Sequence, residues 1–379
     1  MTQFALVGAD IFDGTVIRAD HGLLIRDGRI AALLPRAQLG ADIRVETLDG
    51  GLLAPGFVDV QVNGGGGVLL NDAPTREGVA KICNAHAMFG TTALLPTLIT
   101  DTPQLTAAAV AAVKQAIAGE MPGCVGLHLE GPFLSPEKRG AHDAQLIRQM
   151  DDADVDAIVA MGIETLLLTL SPERVPVRII RRLVDGGVIV SIGHSNASYD
   201  QILAAVDAGA RGVTHLYNAM SPLTHRAPGV VGAALESGGL WCGLIADGHH
   251  VHPAAISIAL RAKRQPGRIF LVTDAMSTVG SDIREFDLNG RRITRRDGVL
   301  VLDDGTLAGS DLDMMSAVRF MVETIGLDIT EALRMASTYP ADFLRRADLG
   351  RIAEGARADL VHIDAALEAK AIWRGGVRL

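Results

Sequence analysis

Residues 187–219 read GVIVSIGHSNASYDQILAAVDAGARGVTHLYNA, and this stretch contains two apolar runs separated by an alanine-rich segment. The runs GVIVSIGH and GVTHLYNA are short, continuous and apolar, which is typical of strands that are buried on both faces. The segment DQILAAVDAGA between them has the composition of a helix. The stretch therefore predicts two parallel strands joined by a crossover helix.

The same unit recurs over most of the chain. Eight apolar runs lie between residue 57 and about residue 275, separated by helical segments such as QLTAAAVAAVKQAIAG. They read FVDVQVN, TTALLPTL, CVGLHLEG, ETLLLTLS, GVIVSIGH, GVTHLYNA, WCGLIADG and RIFLVTDA. Eight alternations of strand and helix predict an α/β fold, namely a (β/α)8 barrel of the TIM type.

The two ends of the chain have a different pattern. FALVGADIFDGTVI and HGLLIRDGRIAALL alternate around Asp-Gly turns, and the tail GRIAEGARADLVHIDAALEAKAIWRGGVRL has the same texture, which is typical of antiparallel hairpins. We expect residues 1–53 and 341–379 to form one small β-sandwich domain built from both chain termini, with residues 54–340 forming the barrel. The turn-rich segment near residues 283–309 predicts a β-hairpin inserted after the eighth strand.

Composition excludes several classes of protein. Of the 379 residues, 48% are hydrophobic and 21% are charged, which indicates a large core and argues against disorder. A net charge of −9 argues against general nucleic-acid or acidic-membrane binding. The three cysteines are widely spaced and no apolar run approaches the length of a membrane span or signal peptide, so we expect a reduced, cytoplasmic protein.

Polar residues close the apolar runs at the same phase of each unit. They are Gln61, Asn63, Glu130, His194, His215, Asp247 and Asp274. The carboxyl ends of the parallel strands share one end of a barrel, which is where barrels of this type carry their chemistry. A purely structural polar residue has no reason to recur at this position in each unit. The sequence therefore predicts an active site at this end.

Glu130, His194 and His215 would bring one carboxylate and two imidazoles to a point above the barrel. This ligand set is typical of catalytic zinc, since three protein ligands leave a fourth position for water, whose pKa falls from 15.7 to about 7 on zinc. Hydroxide at neutral pH indicates hydrolysis. Asp274 ends the eighth run, where it is placed to take a proton from that water and return it to a leaving group. We therefore expect one divalent metal per chain, Zn²⁺, with Asp274 as general base and acid.

The order of the motifs resembles that of a known family. PGFVDVQVNGGGG, HLEGPF, GHSNA, THLYNAM, ADGHHV, TDAM and LAGS follow one another as in the N-acetylglucosamine-6-phosphate deacetylases of the amidohydrolase superfamily. The resemblance covers nearly the whole chain, and HLEGPF followed by GAH, together with THLYNAM, are its specific motifs. It implies a barrel with a small β-sandwich, and hydrolysis of N-acetyl-D-glucosamine 6-phosphate to D-glucosamine 6-phosphate and acetate.

The first strand ends in two amides, where many amidohydrolases carry His-x-His for a second metal. Gln61 and Asn63 are poor zinc ligands compared with imidazole, so the resemblance is to the mononuclear branch with Gln-x-Asn, and we expect both amides to face the substrate. Four glycines follow at 64–67. A phosphate loop would need a following Lys-Ser/Thr, so we interpret these glycines as allowing close backbone approach.

The remaining site residues are implied by the same resemblance. His142, in RGAHD, resembles the family's histidine that polarises the amide carbonyl and touches the sugar. Asn218 and Ala219, in LYNAM, resemble the positions that meet the phosphate, in part through backbone N–H groups. Leu307 and Gly309, in LAGS, belong to the segment that closes on the acetyl group.

Arg226 and His250 resemble phosphate partners that reach across from a second subunit. The resemblance therefore implies a homodimer with shared active sites. A guanidinium can bind phosphate bidentately within an acidic protein, so no basic surface is required.

Two other readings stay open at this point. One is a different amidohydrolase that acts on an N-acyl amino acid or a cyclic amide, although such a substrate has little use for Arg226 and His250. The other is a non-catalytic relative that serves as an assembly scaffold. A scaffold would not be expected to keep the ligands and Asp274 together.

Overall fold

The computed structural model describes residues 3–379. Eight strands form one parallel sheet in chain order, which confirms the predicted (β/α)8 barrel. Their bounds are Phe57–Val62, Thr91–Ile99, Leu127–Glu130, Leu166–Leu170, Ile189–Ile192, Gly212–Val213, Trp241–Leu244 and Ile269–Leu271. The first and eighth strands lie at the two edges of this sheet and meet through a bridge between Val62 and Ala275.

A helix follows each barrel strand. The eight helices are Arg76–Ala87, Pro103–Ala118, Asp152–Val159, Val177–Asp185, Tyr199–Asp207, Gly229–Glu236, Pro253–Ala262 and Met314–Glu323, and the chain continues through Ile329–Ala336 and Thr338–Phe343. Several begin at a side chain that accepts a backbone N–H, which stabilises the first turn. These cap residues are Thr75, Thr102, Asp151, Ser198 and Asp313.

The barrel strands are buried along nearly their whole length. All nine residues of Thr91–Ile99 and all five of Leu166–Leu170 are buried. Continuous burial explains why these runs are apolar without alternation. A polar residue at a strand end therefore marks the point where the core gives way to the mouth of the barrel.

Strands from both ends of the chain form two further sheets. One has the order Arg29–Pro35, His21–Arg26, Gln3–Val7 and Val45–Thr47; the other has the order Val377–Arg378, Ala369–Arg374, Leu360–Ile363, Leu52–Pro55, Asp10–Phe12 and Ile17–Arg18. An apolar cluster that includes Leu6, Ile25, Leu53, Leu360 and Trp373 draws on both sheets. Strands near the amino and carboxyl termini thus pair within one sheet, whereas the division of the chain into domains at residues 53 and 341 stays a prediction.

The segment after the eighth barrel strand forms three antiparallel strands, whereas the sequence suggested a two-stranded hairpin. The strands are Glu285–Leu288, Arg291–Arg296 and Val299–Leu302. Two turns, Asn289-Gly290 and Asp297-Gly298, have positive φ at both residues, as a tight hairpin turn requires. The second of these turns adds the third strand.

This three-stranded insertion packs over the mouth of the barrel. Its buried Leu288, Ile293 and Leu300 share an apolar cluster with Ile99 and Met276. The remaining elements are short: the strands Gly64–Gly65 and Val68–Leu69 and the 3-10 turns Arg36–Gln38 and Pro136–Lys138. Among residues 3–379, no helix is both long and apolar enough to cross a membrane.

Candidate active site

Three side chains converge at the carboxyl end of the barrel as the sequence predicted. Glu130 is the last residue of the third strand, and His194 and His215 each follow the fifth or sixth strand by two residues. Glu130 Oε1 lies 3.1 Å from Nε2 of each histidine, and the two Nε2 atoms lie 3.0 Å apart. All three residues are buried, and their potential ligand atoms lie within 4.8 Å of one another. The cluster is therefore one that could hold a metal ion.

The donor atoms of this cluster fit a cation. His194 Nδ1 donates to the Lys138 carbonyl over 2.8 Å, so Nε2 of the neutral ring presents a lone pair to the cluster. The Nε2 atoms of His194 and His215 lie 3.0 Å apart beside a carboxylate oxygen of Glu130, and a cation among these three atoms would attract all of them. Within residues 3–379, His215 Nδ1 is buried without a hydrogen-bond partner. The donor set of one carboxylate and two imidazoles is that of catalytic zinc sites.

The backbone is left-handed at several of these positions. φ is +47° at His194, +31° at His215, +53° at Asp274 and +48° at Ala219. Non-glycine residues adopt this region rarely, and such strain clusters at functional sites. The strand thus turns sharply as it leaves the barrel, which directs these side chains across the barrel mouth.

Burial and neighbouring charges perturb the acids of the site. Burial raises the pKa of Glu130, but hydrogen bonds from His194 and His215 outweigh this and hold the pKa well below its usual value. Burial raises the pKa of Asp274 to about 6, and the nearby charge of Glu130 adds to the shift. Two carboxylates in one pocket thus differ in their affinity for a proton, which is the usual arrangement of a ligand or charge-stabilising group beside a general base.

The amides of the first strand contact Asp274. Asn63 Nδ2 donates to Asp274 Oδ1 over 2.7 Å, and Gln61 Nε2 donates to the same oxygen and to Glu130 Oε1, each over 3.1 Å. Asn63 lies on the pocket wall, whereas Gln61 lies beneath it. The amide of Gln61 is occupied by two carboxylates, and its contact with the substrate stays a prediction.

His142 packs edge-on against His194, with the ring centroids 4.3 Å apart. His142 Nδ1 lies 2.8 Å from Thr100 Oγ1 and 3.3 Å from the backbone nitrogen of Thr100. Burial lowers the pKa of His142 to about 3. The imidazole is therefore neutral at physiological pH and offers one N–H.

A pocket of about 400 Å³ surrounds these groups. All of the predicted site residues except Gln61 and Arg226 line it, namely Asn63, Glu130, His142, His194, His215, Asn218, Ala219, His250, Asp274, Leu307 and Gly309. Leu288 and Thr306 of the insertion also line it, and no motif in the sequence marks either residue. The insertion therefore forms one wall of the pocket.

His250 lies in the pocket of its own chain, whereas we expected it to reach the active site of a second subunit. The Asp247 carboxylate accepts from His250 Nδ1 over 2.6 Å and from the backbone N–H groups of His249 and His250 over 2.9 Å. These bonds fold the loop after the seventh strand so that the His250 side chain lies at the pocket of its own barrel. The sequence pattern marks Asp247 only as a strand-end residue.

Arg226 does not join the pocket of its own chain. It is exposed and lines a separate cavity of about 620 Å³ with Ser198, Tyr199 and Ser221. In the described part of the chain, the Arg226 side chain has no hydrogen bond or ion pair. Its guanidinium is available to a group outside this chain.

The glycines after Asn63 lie where other residues would collide. A Cβ at Gly64 would lie 2.4 Å from the Val68 carbonyl oxygen, and a Cβ at Gly65 would lie 3.0 Å from the ring of His86. His86 Nε2 in turn lies 2.8 Å from the Gly64 carbonyl oxygen. The tract therefore permits close backbone packing beside the site.

Comparison with known proteins identifies the class. The amidohydrolase family model matches residues 52–376, and a model described as the NagA composite domain matches residues 3–53. The chain therefore belongs to the amidohydrolase family.

Several relatives that match nearly the whole chain are named as deacetylases. The N-acetylgalactosamine-6-phosphate deacetylase of Shewanella sp. (strain ANA-3) is 43% identical, over 99% of this chain and 96% of the relative. The structure of N-acetylglucosamine-6-phosphate deacetylase from Pasteurella multocida covers 100% of both chains with a TM-score of 0.96 and 32% identity. The Mycobacterium smegmatis enzyme, solved in complex with N-acetyl-D-glucosamine-6-phosphate, has a TM-score of 0.92 and 33% identity, over 100% of this chain and 99% of that chain. These matches confirm the resemblance drawn from the sequence motifs.

Proposed function

We propose that this protein removes the acetyl group from N-acetyl-D-glucosamine 6-phosphate by hydrolysis, giving D-glucosamine 6-phosphate and acetate. The observation that carries the proposal is the buried set of Glu130, His194 and His215 in one pocket with Asp274. The named deacetylases that match this chain over nearly its full length support the substrate class. Water adds to the acyl carbon, the bond from that carbon to nitrogen breaks, and the nitrogen leaves as an amine.

Glu130, His194 and His215 would hold one divalent ion, which we propose to be Zn²⁺. Bound zinc supplies positive charge that acidifies water and polarises an acyl oxygen. The amides Gln61 and Asn63 are engaged with carboxylates, so the chain offers one full ligand set. One ion per chain follows.

Asp274 acts as general base and then as general acid. Its Oδ1 accepts from Asn63 and Gln61, which leaves Oδ2 to take the proton from the attacking water. A carboxyl whose pKa lies near 6 can also give that proton to the departing amine. The same side chain thus carries the proton from water to nitrogen.

His142 donates to the acyl oxygen. We assign the proton of its neutral ring to Nε2, with Nδ1 held by Thr100, and the ring lies beside His194 on the pocket wall. Donors preorganised toward a developing oxyanion stabilise the transition state more than the ground state. A neutral donor does this without adding a second fixed charge.

The rest of the pocket recognises the sugar phosphate. We propose that Asn218, Ala219 and His250 face the sugar and its phosphate from the same chain, and that Leu307 and Gly309 pack against the acetyl group. Arg226 of a second subunit completes the phosphate site in a homodimer. The exposed position of Arg226, with no partner in its own described chain, supports this assignment.

A second candidate substrate is the 4-epimer, N-acetyl-D-galactosamine 6-phosphate. The observation that favours it is the name of the relative that is 43% identical to this chain. A second relative named for the same substrate, from Escherichia coli O157:H7, is 39% identical over 94% of both chains. Both sugars place the acetamide and phosphate alike, so the residues assigned above serve either one.

We place the enzyme in the cytoplasm. Its cysteines Cys83, Cys124 and Cys242 are buried and free, as suits a reducing compartment. The net charge of −9 supports the absence of a nucleic-acid or acidic-membrane partner.

The test is acetate release from a panel of substrates by zinc-loaded protein. The panel contains both 6-phosphates, both sugars without phosphate, an N-acetyl amino acid and a cyclic amide. Rapid turnover of the 6-phosphates and slow turnover of the unphosphorylated sugars is the expected result. Preference for the N-acetyl amino acid or the cyclic amide would establish a different amidohydrolase, and no turnover of any compound would favour a scaffold. The ratio of kcat/KM for the two 6-phosphates decides between the epimers.

A further inference from the structure

The first and eighth strands of the barrel meet at a seam directly beneath the site. They are the two edges of the eight-stranded sheet. The Asp274 N–H donates to the Gln61 carbonyl over 2.9 Å, and the Asn63 N–H donates to the Ala275 carbonyl over 2.9 Å. Few backbone bonds therefore fix the position of Asp274 relative to the first strand.

A fully buried carboxylate bridges this seam. Asp59 Oδ2 accepts from Thr273 Oγ1 over 2.6 Å and from the Thr273 N–H over 3.2 Å, and Asp59 Oδ1 accepts from the Gln61 N–H over 3.1 Å. Asp59 is 0% exposed, and burial raises its pKa to about 7. No cation in the described residues lies within ion-pair distance of it. Burying a carboxylate without a countercharge costs free energy of folding. An apolar side chain at this position would avoid that cost.

The bridge acts on the peptide that carries the proposed base. Thr273 directly precedes Asp274, whose φ is +53°. On the other side, Ser310 Oγ donates to the Thr273 carbonyl over 2.5 Å, and the Ser310 N–H donates to the Asp274 carbonyl over 3.0 Å. The strained peptide is thus held by Asp59 from the first strand and by Ser310 from the segment that follows the insertion.

We propose that Asp59 and Thr273 are positioning residues, which hold Asp274 where its free oxygen reaches the attacking water and the departing nitrogen. The pair touches neither the pocket nor the ligand cluster, since neither residue lines the pocket. This inference rests on the proposed function for its kinetic consequence. Its structural part concerns only the peptide of Asp274.

The test replaces Thr273 by valine and by serine. Valine keeps the shape of threonine but cannot donate to Asp59, whereas serine keeps the hydroxyl. Thr91→Val is the matched control, because Thr91 is buried at the opposite end of the second strand and its hydroxyl has no hydrogen-bond partner within residues 3–379. Asp59→Asn is a second variant. Both oxygens of Asp59 accept hydrogen bonds, so the NH2 group of asparagine would face a donor and lose one of these bonds.

We expect T273V to keep its metal and KM and to lose kcat by about 10²-fold, the scale for a catalytic group displaced by about 1 Å. T273S should lose far less than T273V, and T91V should behave like the parent. Adding T273V to D274N should lower the residual activity no further, because the pair acts through Asp274. A structural defect unrelated to Asp274 would instead multiply the two losses.

Hydrogen exchange gives a readout that does not need activity. Residues 272–276 should exchange faster in T273V and D59N than in T273S and T91V, because these two variants weaken the bonds between Thr273 and Asp59 that hold this segment against the first strand. Equal exchange in T273V and T273S would overturn the proposal. So would a T273V enzyme whose kcat stays within about twofold of the parent, far less than the expected loss. If the parent protein hydrolyses nothing in the panel, the proposed function fails, and the exchange measurement still decides whether this bridge fixes Asp274.

Discussion

The side-chain amide of Asn63 donates to Asp274 Oδ1 across 2.7 Å. This bond lowers the pKa of Asp274 against the burial that raises it. Asn63→Ala removes the donor, so the pKa of Asp274 should rise. A base must be deprotonated to act, and activity therefore appears as pH rises through that pKa.

The acidic limb of the kcat profile should consequently move to higher pH in Asn63→Ala. A hydrogen bond to a charged group contributes about 1.5–3 kcal/mol, which corresponds to a shift of about one pH unit or more. The measurement is kcat between pH 5 and 9 under saturating substrate. An unchanged limb would mean that another group sets it.

Asp274→Asn should retain the fold and the metal but lose turnover. The amide keeps the size of the carboxylate and cannot accept the proton from water. General acid and base catalysis contributes about 10²–10⁴-fold, and here one residue serves in both steps. Acetate release by a variant with normal metal content and normal circular dichroism is the measurement. Retention of more than about a tenth of the parent kcat, on the same scale, would require a different base.

The metal content should be about one ion per chain, since the described ligand set is one carboxylate and two imidazoles. His194→Ala and His215→Ala should each lose both metal and activity. His21→Ala is a matched control, because His21 lies in the small amino-terminal sheet, where its Nδ1 contacts the Ala19 carbonyl. Elemental analysis after dialysis checks this. Two tightly held ions, or full metal in either ligand variant, would contradict the assignment.

The barrel and the cluster of Glu130, His194 and His215 could be predicted from the sequence because both follow from the pattern of strands. Alternation fixes which face of a strand a residue occupies, and the carboxyl ends of parallel strands share one edge. The position of Glu130, His194 and His215 at the carboxyl ends of their strands was therefore enough to predict that they lie together. The same reasoning placed Asp274.

The pattern of strands could not predict which atoms a side chain contacts or how a loop folds. Phase placed Gln61 at the site but could not show that its amide reaches Glu130 and Asp274 beneath the pocket. His250 turns into its own pocket through Asp247, a contact that depends on the loop conformation. The Lys138 carbonyl that orients His194 is a backbone group, so the residue type at position 138 does not predict this contact. Positive φ at His194 and Asp274 is likewise set by the packing around them.

The cysteines should resist alkylation in the native protein. Burial raises the pKa of Cys83, Cys124 and Cys242, the latter two to about 11 and about 12. Alkylation needs an exposed thiolate, and these thiols stay protonated and enclosed at pH 8. Mass spectrometry should find no modification by iodoacetamide before unfolding and three modified residues after unfolding in guanidinium. Rapid modification of the native protein would contradict the packing described for them.

The last prediction concerns the homodimer that we propose. Arg226 lies eleven residues beyond His215 in the chain, yet it lines a separate, exposed cavity. In a two-fold dimer each subunit offers the same patch and receives the same patch, so Arg226 would enter the pocket of the partner. Arg226→Ala should then weaken binding of phosphorylated substrate by about 2–5 kcal/mol, the range for removing one partner of a buried charge pair.

Mixing Arg226→Ala chains with Asp274→Asn chains tests this arrangement. Each homodimer should be poor, because one lacks the arginine in both sites and the other lacks the base in both. A heterodimer joins the intact Asp274 of one subunit to the intact Arg226 of the other, so one of its two sites should regain activity. Differently tagged chains, purified as heterodimers, allow the recovery to be measured against each homodimer. If verified heterodimers recover nothing while both single variants are folded and defective, Arg226 serves its own chain and the shared site is wrong.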